Sequence, residues 1–200
     1  MEELVPFAIR LVEAHPAVSG VEFAGSRSRG THTALSDWDF AIDTLDFDAV
    51  ARDMPALVAP LEPLGEQWEP MGDFPCYQVL MRGPTKVEYL FLDHAQEPMP
   101  PARPGPETLG AINTHFWDWT WWLISKDAAG RDDLVAEHLQ QLHEHLLRPL
   151  GITDEPDDID AAIAAFVPRR DALEHEYGIA LPRALENEVL AGNRRVRHGG

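Results

Sequence analysis

The stretch Phe23-Ala24-Gly25-Ser26-Arg27-Ser28-Arg29-Gly30, followed by Thr31 to Leu35 and then Ser36-Asp37-Trp38-Asp39-Phe40-Ala41-Ile42, decides how this chain is read. Val21 to Ala24 is short and mostly apolar, as a strand is, and Gly25 breaks it before a helical turn around Ser26 to Gly30. A strand that ends in Gly25-Ser26 and enters such a turn offers backbone N–H groups and a hydroxyl to a phosphate. Arg27 and Arg29 can add positive charge. Trp38 to Ile42 reads as a second strand. Side chains alternate along a strand, so Asp37 and Asp39 share one face while Trp38, Phe40 and Ile42 turn to the other and can enter a core. Two carboxylates held that close repel, and a fold rarely keeps both on one face unless a cation sits between them. Hard oxygen ligands of this kind suit magnesium, which takes one or two carboxylates and completes its shell with water and substrate phosphates.

Working outward, Cys76 to Met81 and Lys86 to Leu92 read as a hairpin across Arg82-Gly83-Pro84-Thr85. The second of these strands carries one acid, Glu88, among apolar residues. A carboxylate there needs a partner, and a metal held by Asp37 and Asp39 would be one. Glu3 to Ala14 spaces Leu4, Phe7, Ala8, Leu11 and Val12 as a helix does and is stopped by Pro16; Phe47 to Val58 reads as a helix disturbed by Pro55. The order α-β-α-β-α-β-β implies an α/β (α+β) fold whose mixed sheet is covered by helices on one face. Residues 94–107 hold five prolines and read as a linker, dividing the chain into domains 1–107 and 108–200. The second domain reads as a helical bundle: Glu107 to Ser125, rich in tryptophan; Asp132 to Leu147; then two or three shorter helices at about Ile159 to Phe166, Arg169 to Tyr177 and Arg183 to Leu190.

The pattern G-S-x-x-R-G, then S-D-x-D, then an acid on an apolar strand resembles the nucleotidyltransferase superfamily of DNA polymerase beta type. Within it the sequence is most similar to the small bacterial enzymes that adenylylate aminoglycosides and to the minimal nucleotidyltransferases paired with helical toxins. The resemblance implies that Gly25 and Ser26, with Arg29, hold the phosphates of a nucleotide, that Asp37 and Asp39 ligate metal, and that Glu88 is the third catalytic acid. Trp122-Leu123-Ile124-Ser125-Lys126 followed by Gly130-Arg131 resembles the helix from which a lysine of these enzymes approaches the triphosphate, which makes Lys126 a further nucleotide-binding candidate. The implied reaction moves a nucleoside monophosphate from a triphosphate, with ATP the expected donor, to an acceptor hydroxyl, assisted by two Mg2+ ions. A second class of function is an antitoxin-type protein that binds or modifies a partner toxin.

Bulk properties narrow the acceptor. The chain has 34 acids against 16 basic residues and a formal net charge of -18, which disfavours a long nucleic acid and favours a small or cationic acceptor such as an aminoglycoside-type antibiotic. Cys76 is the only cysteine, so an intrachain disulfide and a cysteine-based zinc site are both excluded. No apolar run approaches the roughly 18 to 20 residues of a membrane span, and MEELVPFAIR has acids where a secretory signal has basic residues, so a cytoplasmic location is expected. His138, His143 and His145 lack the i, i+4 spacing of helical metal ligands. Glu174 and Glu176 read as solvated acids, and Arg194, Arg195 and Arg197 as a solvated tail.

Overall fold

The computed structural model describes residues 4–97, 99–101 and 103–198, so the expectations placed on Glu3, Pro98, Ala102, Gly199 and Gly200 lie outside the described residues. The chain divides into two units, Met1–Pro98 and Met99–Gly200.

In the first unit the elements run α1 (Leu4–Glu13), β1 (Val18–Phe23), α2 (Gly25–Ser28), β2 (Trp38–Thr44), α3 (Phe47–Val58), β3 (Gly65–Trp68), β4 (Cys76–Met81) and β5 (Thr85–Leu90). The strands form one mixed sheet in the order β1-β2-β5-β4-β3, in which β2 and β5 are parallel and the other neighbours antiparallel. Strand alternation sends Phe40 and Ile42 of β2, Tyr77, Val79 and Met81 of β4, and Val87 and Tyr89 of β5 into a single core with Phe91. Ala8 and Val12 of α1 and Val50, Met54 and Val58 of α3 complete it at helical spacing. Each fully buried large side chain here contributes about 1.5–3 kcal/mol, which fixes which face of each strand turns inward. The Tyr89 hydroxyl donates to the Ala8 carbonyl at 3.2 Å and ties α1 to the sheet. Asp46 caps α3 by accepting from the Ala49 N–H at 3.1 Å, and the helix runs through Pro55, which lies on its exposed side.

The β4–β5 hairpin turns at Gly83, whose φ of +97° suits glycine alone. Strand β3 was not expected from sequence. Gly65-Glu66-Gln67-Trp68 is too short and polar to show a period, and it becomes a strand by pairing along β4, from Gly65 opposite Leu80 to Trp68 opposite Tyr77.

The second unit is helical: α4 (Leu109–Asp127), α5 (Asp132–Leu142) continued by a π-helical turn at His143–Leu147, α6 (Ile159–Tyr177) and α7 (Ala184–His198). Three sequence expectations are corrected here. Residues 159–177 form one helix rather than two, because Ile159, Ala162, Phe166, Arg170 and Leu173 keep one buried face through Pro168, with Phe166 stacked on Phe116 at 3.6 Å between ring centroids. Arg194, Arg195 and Arg197 belong to α7 rather than to a tail, and Arg197 pairs with Asp160 at 2.5 Å. Those arginines are exposed, whereas Glu174 is not solvated. It is buried, accepts the Leu181 N–H and pairs with Arg183, while the buried Arg170 pairs with Asp171 and Glu186. Buried charges persist only when paired in this way. Among the described residues no helix is long and apolar enough to cross a membrane.

Candidate active site

The face of the sheet opposite α1 and α3 carries a row of polar side chains. Parallel pairing sets Asp39 of β2 opposite Glu88 of β5, and antiparallel pairing then sets Glu88 opposite Gln78 of β4 and Gln78 opposite Gln67 of β3. Residues in register share a face, so all four meet. Gln67 Nε2 donates to Gln78 Oε1 at 2.9 Å, and Gln78 Nε2 donates to Glu88 Oε1 at 3.0 Å. Lys86 lies two residues before Glu88 on the same face and is only 4% exposed. Its Nζ is 2.9 Å from Glu88 Oε1 and 3.7 Å from Asp37 Oδ2. Asp37 and Glu88, far apart in sequence, thus face one ammonium, and Asp39 lies opposite Glu88 in the sheet.

The electrostatics follow from that crowding. Burial first, then the charge of Glu88 and its hydrogen bond, then the charge of Asp37, push the Asp39 carboxyl up to about 7, against a smaller opposing effect of Lys86. Burial would raise Glu88 too. There the Lys86 charge and hydrogen bond, helped by hydrogen bonds with Asp39 and Gln78, outweigh it and hold Glu88 below its ordinary value. Hydrogen-bonded carboxyls titrate as a pair, so the two hold one proton between them until near neutral pH. Burial is the larger cause of that retention, and the neighbouring carboxylates add to it. An all-oxygen donor set of this kind fits a hard divalent cation such as magnesium.

The loop after β1 abuts this cluster. Gly25 has φ +67°, and a Cβ placed on it would lie 1.6 Å from Asp39 Oδ2 and 2.4 Å from its Cγ. Both conformation and space therefore demand glycine. The Ala24 N–H donates to the Asp39 carbonyl at 2.8 Å, carrying the β1–β2 ladder up to the loop. Ser26, half-buried, follows as the second residue of α2, and its carbonyl accepts from the Thr31 N–H at 3.0 Å. Gly25 of the expected cradle and Asp39 of the expected carboxylate pair are therefore in contact.

Other candidates fall elsewhere. Arg29 is exposed and caps the C-terminal end of α2. Arg27, read from sequence as charge for a phosphate, is engaged by the protein: its Nε donates to the Ser36 and Asp37 carbonyls at 2.9 and 3.1 Å, its Nη2 to Ser36 at 2.7 Å, and its guanidinium lies 4.0 Å over the Trp38 ring. It fastens the loop that delivers Asp37. Asp93 is exposed in the turn beyond β5, outside the row. Lys126 belongs to the second unit, where its ammonium sits 4.8 Å over the Trp122 ring near the end of α4. Lys86, Gln78 and Gln67 were missed from sequence. Lys86 could have been found, since Lys86-x-Glu88 at a period of two places both on one strand face.

No protein-family model matches this sequence, and no curated protein matches it. Among solved structures the chain is similar to an aminoglycoside 6-adenyltransferase from Bacillus subtilis, at 10% identity over 98% of each chain with a TM-score of 0.39. It is also similar to the polymerase core of TRAMP, an RNA surveillance complex, at 13% identity over 84% of this chain and 57% of that one, again with a TM-score of 0.39.

Proposed function

We propose that this chain is a divalent-metal-dependent nucleotidyltransferase that moves a nucleoside monophosphate from a triphosphate, ATP foremost, to an acceptor hydroxyl. The observation that carries this reading is the pairing of Asp39 with Glu88 in register across β2 and β5, with Asp37 beside them and the Gly25 backbone packed against the Asp39 carboxylate. In the proposed reaction the acceptor oxygen bonds to the α-phosphorus, the bond from that phosphorus to the bridging oxygen breaks, and pyrophosphate leaves. Asp37, Asp39 and Glu88 would hold magnesium, which when bound neutralises charge on the attacking and leaving oxygens and lowers the pKa of the hydroxyl. Ser26 and the loop N–H groups beside it would orient the terminal phosphates. Glu88, fixed by Lys86 and Gln78, would take the hydroxyl proton as the new bond forms.

The net charge of -18 supports a cationic acceptor, and an amino sugar is the class that joins positive charge to free hydroxyls. The deciding experiment incubates the protein with α-labelled ATP and magnesium against amino-sugar antibiotics, candidate partner proteins and transfer RNA. Label on an amino sugar is expected. Label on a protein instead would transfer the reading to the antitoxin-type alternative, and no magnesium-dependent nucleotide binding at all would refute the proposed activity.

A further inference from the structure

We propose that Lys86 is a built-in counter-cation that occupies the acid cluster of the nucleotide-free protein, so that a divalent ion enters with the triphosphate rather than residing there beforehand. This rests on the proposed nucleotidyltransferase reading. The chain contains two lysines, and this one is almost wholly buried, with its Nζ between Glu88 Oε1 at 2.9 Å and Asp37 Oδ2 at 3.7 Å. A buried ammonium is stable only when paired, and its partners here include two of the three acids read as metal ligands. Its position is not a chance of a flexible side chain. Lys86 and Glu88 share one face of β5, and that strand is fixed by pairing on both sides, with Val87 opposite Trp38 and Lys86 opposite Leu80.

The consequence is competition. Three carboxylates would draw in a free divalent ion, but an ammonium within a few ångströms repels it and already satisfies part of their charge. A metal–triphosphate complex differs, because the phosphates bring negative charge that the ammonium favours. Free metal should therefore bind weakly and metal with nucleotide well. Two other roles make different demands: a purely structural ion pair would leave metal affinity untouched when removed, and a direct phosphate ligand would chiefly lower affinity for nucleotide.

The test uses Mn2+ as the probe, counted by electron paramagnetic resonance in nucleotide-free full-length protein, together with thermal melts in chelator. Lys86→Met should bind free Mn2+ on the order of tenfold more tightly than the unaltered chain, as expected when a repelling charge at this range is removed. It should also melt lower in chelator and recover with Mn2+, and Lys86→Arg should resemble the unaltered chain in both. Unfolding of Lys86→Met in chelator with recovery in Mn2+ is the same result at its limit; where methionine prevents folding under both conditions, Lys86→Gln carries the measurement. Equal or weaker Mn2+ binding by the neutral variant overturns the counter-cation while leaving the metal site standing. Absence of Mn2+ binding by every form, with and without ATP, overturns the nucleotidyltransferase reading instead.

Discussion

Replacing Asp39 with asparagine should stabilise the metal-free protein, and the size and pH dependence of the gain follow from the crowding of its carboxyl. Asp39 is raised from its ordinary 3.8 to about 7, by burial first and by Glu88 and Asp37 next. At about 1.4 kcal/mol per pH unit, full ionisation would cost the fold at most about 4 kcal/mol. Asp39 is partly open to solvent and shares its proton with Glu88, so screening and coupling reduce this to about 1–2 kcal/mol. The sign is set by linkage: the folded carboxyl has the higher pKa, so between about pH 4 and pH 7 the folded chain keeps a proton that the unfolded chain has released. Stability of the unaltered protein therefore falls as pH rises through that window and levels off above it. Asp39→Asn lacks this loss. Its advantage in chelator should be small at pH 4 and reach about 1–2 kcal/mol at pH 8, a rise in Tm of roughly 2–8 °C for a chain of this length. Melts of both proteins across that range decide the matter, with magnesium and ATP added in a second series. There the order should reverse, because only the unaltered protein gains from the cation. A Tm difference that is constant from pH 4 to pH 8, or an asparagine variant that is the less stable at pH 8, would refute the reasoning.

Gly25→Ala should cost more than the roughly 1–2 kcal/mol of a left-handed residue, since its methyl would also displace the Asp39 carboxylate, and calorimetry should show magnesium-dependent ATP binding lost even where the variant folds. Ser26→Ala should weaken triphosphate binding by about 1–2 kcal/mol and monophosphate binding less; equal losses in titration would make Ser26 a structural residue. Arg27→Lys should behave nearly as poorly as Arg27→Ala, because a single ammonium cannot reproduce the fork that reaches the Ser36 and Asp37 carbonyls; a fully active lysine variant would show that the clamp is dispensable. Glu88→Gln should abolish transfer of label to the acceptor while Asp93→Asn retains it, and the reverse outcome would move the third acid to Asp93.

The class of the fold was legible in the sequence, and so was part of the geometry that brings the candidate site residues together. Gly25, Asp37 and Asp39 lie within one short stretch, where spacing and strand alternation alone fix their relation, and Phe40 and Ile42 are buried on the face that alternation assigns. Glu88 stood out because a carboxylate among Val87, Tyr89, Leu90 and Phe91 demands a partner. The partners themselves were less legible. Nothing local ties Lys86 to Asp37 or Gln78 to Glu88, since those contacts exist only once β5 lies between β2 and β4, and strand order is a property of the folded sheet. The loop contacts of Arg27 were hidden for a related reason: an arginine in a glycine-rich loop serves a phosphate or a carbonyl equally well, and its bonds to the Ser36 and Asp37 carbonyls depend on the path of residues 31–37. In the second unit residues 159–166 and 169–177 were read as separate helices, but a buried face continues through Pro168, and Glu174 was taken as solvated because Arg183, its partner, lies nine residues on.

The parallel pairing of β2 with β5 joins stability to function most tightly. Asp39 and Glu88 are 49 residues apart, and they meet only because the chain crosses back to lay β5 beside β2 in one register. That register is held from the far face of the sheet, where Phe40, Val87 and Tyr89 are wholly buried. A slip of one residue would turn Glu88 into the core and Val87 out of it, exchanging an apolar contact for an unpaired buried carboxylate. The core therefore forbids any arrangement in which the acids are apart, and the repulsion between them cannot be relieved by sliding the strands. What remains is relief by charge: a proton shared between Asp39 and Glu88, the ammonium of Lys86, or a divalent cation. The first two are built into the chain, and the third is what the proposed reaction requires.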